Sequence, residues 1–168
     1  MNKKTYITLG VIILILAGVI VFSQSTKTKT TAENDDIKKT SASSILAGQK
    51  ATVYKSPNCG CCVGYIKELE KNGVKVEVVE TNDMDSVKKD YNIPSNMQSC
   101  HTIVFDDYFV EGHVPIAAVE KLLTEKPEVD GIALPGMPSG TPGMPGSKRA
   151  PYEVYQLIGG ESEEFITL

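Results

Sequence analysis

Residues 57–62 have the sequence Pro-Asn-Cys-Gly-Cys-Cys, which places three of the four cysteines of the chain within four residues. The β-favouring side chains at 50–55 predict a strand before this stretch. The apolar spacing at 63–71 predicts a helix after it, which Asn72-Gly73 ends. The thiols therefore lie at a strand-to-helix turn, where free backbone N–H groups and the helix dipole stabilise thiolates.

The spacing of the cysteines limits how they pair. Cys59 and Cys62 form a C-x-x-C, Cys59 and Cys61 form a C-x-C, and adjacent Cys61 and Cys62 are poorly placed to pair with each other. Either pairing leaves one thiol of the cluster unpaired, and Cys100 is the only cysteine elsewhere in the chain with which it could pair. Exported proteins usually form disulfides, but this spacing favours free thiols that act as nucleophiles or metal ligands. A buried cysteine cluster or a structural disulfide is the alternative.

The first 44 residues differ in composition from the rest. Residues 6–22 are uncharged and almost wholly apolar and follow a short basic start, which predicts a membrane anchor or signal segment over 1–22. The lysines favour the cytoplasm, so we expect the rest on the extracytoplasmic side, periplasmic or extracellular. An uncleaved anchor is favoured, with cleavage near Ser23 and secretion as the alternative. Residues 23–44 are interpreted as a flexible tether.

Residues 45–168 are interpreted as one domain, in which 127–168 form a C-terminal extension. They carry 11 basic and 18 acidic side chains, a formal charge of −7, which argues against nonspecific binding to nucleic acid. Further strands are predicted at 74–80, 102–105 and 108–111.

Helices are predicted from a cap at Asn82 or Asp83 to Tyr91, with Met84 and Val87 facing inward beside Tyr91, and after Pro115.

This β-α-β-α-β-β-α order predicts a three-layer α/β domain with a mixed sheet. With a C-x-x-C at the first strand–helix turn, it resembles the thioredoxin fold over residues 50–126. In such a sheet the hairpin begins and ends at the edge that carries the cysteines, so Cys100, His101 and His113 are expected there. A structural role for His113 is the alternative.

The residues before the hairpin differ from those of thioredoxin. Thioredoxins have a cis-proline next to the dithiol, whereas this chain has Ser99-Cys100-His101-Thr102. Cysteine and histidine supply side-chain ligands and proline does not, so the difference favours a metal site over disulfide exchange.

Residues 131–146 repeat the sequence Pro-Gly-Met-Pro and are predicted to form an extended loop that presents Met137 and Met144. The thioethers are interpreted as soft metal ligands or as a lid, with gap-filling by methionine as the alternative. A β-hairpin is predicted over 152–158 and 164–168, with Gly159-Gly160 as its turn.

The chain resembles the CopG-type copper-resistance family over residues 50–168. The ordered motifs that carry this resemblance are residues 54–62, 99–102, 110–115, 134–138, 142–144 and 151–155. The resemblance implies a thioredoxin-like fold, an exported location and copper handling by the cysteines. A copper chaperone or an efflux protein is the expected partner.

The donor chemistry agrees with copper. Thiolates favour Cu(I), zinc or iron–sulfur, and imidazole and thioether groups favour copper among these. The predicted ligands are Cys59, Cys61, Cys62, Cys100, His101, His113, Met137 and Met144. This set exceeds one tetrahedral site, so we expect more than one copper ion, held as Cu(I) and also as Cu(II), with redox cycling as a further activity. The alternative is a thiol–disulfide oxidoreductase in which Cys59 is the nucleophile and Cys62 the resolving thiol.

Overall fold

The computed structural model describes residues 44–168, which form seven strands and three α-helices. The strands are β1 (Lys50–Lys55), β2 (Lys75–Glu80), β3 (His101–Phe105), β4 (Tyr108–Glu111), β5 (Gly131–Ala133), β6 (Glu153–Ile158) and β7 (Glu161–Thr167). The helices are α1 (Gly60–Lys71), α2 (Met84–Asp90) and α3 (Ile116–Glu125), and Ser95–Met97 adds a short 3-10 helix. The predicted mixed α/β class and the β-α-β-α-β-β-α order are observed.

The predicted anchor at 1–22 and almost all of the tether at 23–44 lie outside the described residues. Within residues 44–168, no helix has both the length and the apolar character that a membrane crossing requires.

All seven strands belong to one mixed sheet in the order β2-β1-β3-β4-β5-β6-β7. β1 and β2 are parallel, as are β4 and β5, and the other neighbours are antiparallel. Because β1 and β3 run in opposite directions, the end of β1 meets the start of β3, where Lys55 pairs with His101. This edge carries both cysteine-bearing segments.

Apolar side chains cover both faces of the sheet because neighbouring residues of a strand point to opposite faces. On one face, Val110 of β4 belongs to the main core with Tyr65 and Leu69 of α1 and with Leu122 of α3. Phe109, one residue earlier, belongs to a smaller cluster on the other face; its buried members are Ile93, Met97, Phe109, Ala133 and Leu157. The sheet is thus packed on both faces.

Several predicted boundaries were wrong for local reasons. Helix α1 begins at Gly60 rather than residue 63, because Cys59 caps it. The stretch 131–146 is not loop throughout, since its first three residues pair with β4 and β6 as β5. The C-terminal hairpin is present, but β7 already begins at Glu161, directly after the two-glycine turn.

The inward face of α2 also differs from the prediction. Met84, Val87 and Tyr91 are only half-buried, whereas Lys88 is 4% exposed. The lysine is buried because its ammonium group has a carboxylate partner inside the fold, Glu111.

Candidate metal centre

The three clustered cysteines are fixed by the start of α1. Cys59 is the N-cap residue, and its sulfur accepts a hydrogen bond from the backbone N–H of Cys62 at 3.3 Å. Cys61 and Cys62 occupy the first helical turn, where backbone N–H groups lack intrahelical partners. Beneath this turn, the buried Lys55 ammonium donates to the carbonyl oxygens of Ser56 and Pro57 at 3.1 and 3.4 Å.

A disulfide joins Cys59 and Cys62, whereas the spacing had favoured free thiols. The i, i+3 spacing across the helix start brings their Cα atoms to 5.4 Å, within the range that disulfides span. Cys61 and Cys100 are free. The structure therefore describes the oxidised form of the C-x-x-C pair, and metal binding by all four sulfurs requires its reduction.

Cys100 reaches this cluster from the start of β3, as the antiparallel pairing of β1 and β3 predicts. Its Sγ atom lies 3.8 Å from Sγ of Cys61 and 3.7 Å from Sγ of Cys62. The Sγ atoms of Cys59 and Cys61 are 3.6 Å apart. All four sulfurs lie within 4.8 Å of one another, a spacing that permits shared coordination of metal ions.

Both histidines converge on the same thiol. Nδ1 of His101 lies 3.2 Å from Sγ of Cys100, and Nε2 of His113 lies 3.1 Å from it. Nδ1 of His113 is 2.7 Å from the carbonyl oxygen of Pro142. A carbonyl only accepts, so this Nδ1 carries the proton and Nε2 keeps its lone pair towards Cys100. Cys100 thus belongs to two groups of close donor atoms, one of four sulfurs and one of a sulfur and two imidazoles.

Burial favours the neutral forms of Cys100, His101 and His113 in the absence of a metal. It lowers the pKa of His101 to about 3, with a smaller contribution from the neighbouring His113 and Lys88. It also lowers the pKa of His113, against the opposing hydrogen bond to Pro142. Burial, followed by the nearby Cys61, raises the pKa of the Cys100 thiol to about 12. A metal that binds here must displace the Cys100 proton but meets imidazoles that are already deprotonated.

The donor set fits a soft metal ion. Nδ1 of His101 faces the Cys100 thiol, and among residues 44–168 the other nitrogen of this ring, Nε2, is the buried side-chain nitrogen or oxygen atom that has no hydrogen-bond partner. Thiol sulfurs and neutral imidazoles are the ligands that copper and zinc prefer. The residues present therefore suit a thiophilic metal.

The loop after β5 is held against the site. Ser99 donates from its hydroxyl to the carbonyl of Gly136, next to Met137, which is 55% exposed. Gly143, next to the half-buried Met144, lies so close to α1 that a Cβ atom there would be 2.5 Å from the backbone nitrogen of Tyr65. Each methionine directly follows a glycine that contacts Ser99 or α1, and the role of both methionines as ligands stays a prediction.

Three residues that matter to the geometry were not predicted. Tyr65 is fully buried, donates to the carbonyl of Val114 at 2.7 Å and packs against His101 with ring planes tilted by 48° and ring centroids 5.0 Å apart. In the sequence it cannot be told from an ordinary core aromatic. Lys88 and Glu111 form a buried ion pair, and no sequence pattern marked either charge as internal.

Comparison with known proteins gives the following relatives. A family model described as "Protein of unknown function, DUF411" matches residues 97–144. Two solved structures, named "Copper resistance protein copG" Form 1 and Form 2, are each 43% identical to this chain over 71% of its length, with TM-scores of 0.66. The match covers 97% and 98% of those chains. Among curated proteins, no relative matches the chain.

Proposed function

The chain belongs to the CopG-type copper-resistance family, and from that premise we propose that it is a membrane-tethered extracytoplasmic protein that binds Cu(I) through its clustered cysteines and histidines. A copper-related function follows from the family and from the cysteine–histidine cluster. The oxidation state, the number of ions and the location are the proposed part.

The observation that carries the proposal is the position of the Cys100 sulfur. It lies within 4.8 Å of three other sulfurs and also of two imidazole nitrogens. A thiolate bridges metals readily, and thiolates select Cu(I). Zinc in a structural site takes four closed ligands, whereas six donors are available here. This excess supports binding of more than one copper ion after the Cys59–Cys62 disulfide is reduced.

Redox cycling of the bound copper is part of the proposal, in which an external one-electron donor would reduce Cu(II) to Cu(I) and an external electron acceptor would reoxidise it. Imidazole nitrogens suit Cu(II), while thiolates suit Cu(I). Donors of both types lie close to the Sγ atom of Cys100. Met137 and Met144 would add thioether ligands from the loop. A copper chaperone or an efflux protein would be the partner that delivers or removes the ion.

The thioredoxin-like fold and the location rest on different grounds. Strand order β2-β1-β3-β4, with β1 and β2 parallel and β3 antiparallel to β1, supports the thioredoxin-like assignment.

The proposed extracytoplasmic location rests on the apolar stretch 6–22 and the basic residues before it. Protease protection of the full-length chain in membrane vesicles of known orientation tests it.

Metal analysis tests the copper proposal directly. The full-length chain, reduced and exposed to copper under anaerobic conditions, is titrated against a chromogenic Cu(I) chelator, and its metal content is measured by elemental analysis. We expect more than one Cu(I) per chain and displacement of zinc by Cu(I). A saturating stoichiometry of one or less, or retention of zinc against Cu(I), would exclude the multinuclear site.

The disulfide favours a second candidate, a thiol–disulfide oxidoreductase. Cys59 is half-exposed and Cys62 is fully buried, as an attacking and a resolving thiol require. Against it, the high pKa of Cys100 and the two histidines have no role in disulfide exchange. If the protein is a thiol–disulfide oxidoreductase, Cys61→Ser should retain full disulfide reductase activity. If it is a copper-binding protein, the same variant should lose copper.

A further inference from the structure

A network of buried polar groups lies on the α2 face of the sheet, beneath residues 99–102. Glu111 is fully buried and Lys88 is 4% exposed, and their side chains form an ion pair. Oε1 of Glu111 also accepts the backbone N–H of Ser99 at 2.6 Å. Oε2 accepts the hydroxyl of Thr102 at 2.6 Å, and the Lys88 ammonium donates to that same hydroxyl oxygen at 3.3 Å.

This carboxylate holds both ends of the segment that carries two predicted ligands. Ser99 directly precedes Cys100, and Thr102 directly follows His101. Ser99 lies before the first residue of β3, so no strand ladder supplies an acceptor for its N–H. Glu111 supplies that acceptor, because it lies opposite Thr102 in the β3–β4 register.

Stability alone does not account for a charge pair at this position. Replacing a buried ion pair by apolar side chains of similar volume is often neutral or stabilising, because desolvation of two charges offsets their attraction. An apolar pair would pack the same space but would leave the Ser99 N–H without a partner. The specific contribution of Glu111 is therefore the geometry of the backbone on either side of Cys100-His101.

We propose that Glu111, neutralised by Lys88, is a positioning residue for the copper site, which fixes the ligand atoms of Cys100 and His101 through the backbone N–H of Ser99 and the hydroxyl of Thr102. The inference rests on the proposed function, since it assigns a role in that same site. Glu111 acts from the opposite face of the sheet and does not itself bind the metal.

Two double variants of the full-length chain separate positioning from charge. Lys88→Met with Glu111→Gln removes both charges but keeps a side-chain oxygen for the Ser99 N–H. Lys88→Met with Glu111→Leu removes both charges and the acceptor. Lys121→Met with Glu125→Gln, which neutralises the surface pair on α3, is the matched control. Each reduced protein is titrated with Cu(I) against a chelator, and the Cu–thiolate charge-transfer spectrum is recorded at saturation.

The glutamine variant and the control are expected to keep the wild-type spectrum and an affinity within about threefold. The leucine variant is expected to lose at least about tenfold in affinity, equivalent to about 1.4 kcal/mol, and to show a changed spectrum even at saturating copper. A merely structural role would shift the urea midpoint of both double variants without separating their spectra. Equal affinities and spectra in the glutamine and leucine variants would overturn the inference.

Thr102→Val tests the other hydrogen bond of Glu111, from the Thr102 hydroxyl, if the leucine variant does not fold. It keeps both charges and removes only the hydroxyl between Glu111 and Lys88, so we expect a loss of a few-fold in Cu(I) affinity and a changed spectrum. A wild-type affinity and spectrum in Thr102→Val would count against positioning by Glu111. Wild-type protein that binds no Cu(I) would instead overturn the proposed function, and this inference with it.

Discussion

The Sγ atom of Cys100 lies 3.1 Å from Nε2 of His113, and the opposite nitrogen of the same ring hydrogen-bonds the carbonyl of Pro142 at 2.7 Å. One imidazole therefore connects the thiol shared by both donor groups to the loop that carries the two methionines. The hydrogen bond to the loop orients the ring, as outer partners of metal-binding histidines do.

His113→Gln removes the imidazole nitrogen next to Cys100 and the donor to Pro142. We expect Cu(I) affinity to fall at least about tenfold and amide hydrogen exchange in residues 139–146 to accelerate. Tyr152→Phe is the control, because it removes a different loop hydrogen bond, to the carbonyl of Ser139. It should accelerate exchange in the loop and leave the affinity unchanged. Wild-type affinity in His113→Gln would assign the ring a structural role only.

Cys61→Ser and Cys100→Ser are each expected to reduce the bound copper at least as far as Cys59→Ser does. Cys100 contributes to both donor groups, so its removal should leave the lowest copper-to-protein ratio of the three. Elemental analysis after dialysis against a weak chelator measures this. Unchanged copper in the first two variants, together with loss of disulfide reductase activity in Cys59→Ser, would support the oxidoreductase candidate.

Met137→Leu with Met144→Leu keeps the apolar volume and removes both thioether sulfurs. We expect the unfolding free energy to change by less than about 1.5 kcal/mol, while the affinity for Cu(I) or its exchange rate decreases. Thioethers carry no proton to lose, so the decrease should be the same from about pH 6 to 8, whereas binding by cysteine weakens on acidification. Identical affinities and exchange rates over this range would remove both methionines from the site.

The metal-free protein is expected to lose stability as the pH falls. An unfolded chain protonates His101 near its ordinary pKa of 6.5, while the folded chain keeps it neutral down to about pH 3. Protons therefore favour the unfolded state in this window, by about 2 kcal/mol at pH 5 for one such group. Urea unfolding at pH 5 and 7.5 measures the effect. The difference in unfolding free energy between the two pH values should be smaller in His101→Gln than in the wild type. An equal difference in both proteins would show that His101 is not its cause.

The convergence of the cysteines and histidines was predictable because it follows from strand direction. A strand that ends at Lys55 and an antiparallel hairpin that begins near His101 must meet at one edge, and each element has a strong local pattern. β5 was missed because it has only three residues, begins with glycine and pairs through contacts distant in sequence.

The internal charges were not predictable for a related reason. Lys88 lies in a short polar helix, where its neighbours Met84 and Val87 are the better candidates for burial by hydrophobicity. Only the three-dimensional partner, Glu111, makes the lysine stable inside the protein, and its position depends on the register of β3 and β4. The Cys59–Cys62 disulfide could not be predicted either, because a C-x-x-C spacing is compatible with both the oxidised and the reduced pair.

Cys100 belongs to both donor groups, and binding of one metal ion would therefore affect binding of the next. If more than one ion binds as proposed, an ion held by the four sulfurs would displace the proton of Cys100, which binding between Cys100 and the two histidines also requires. The first ion would then make the second position easier to fill, and occupancy of the two positions would be positively cooperative. Such a protein would take up copper over a narrow range of free concentration and would respond to a threshold rather than act as a graded buffer.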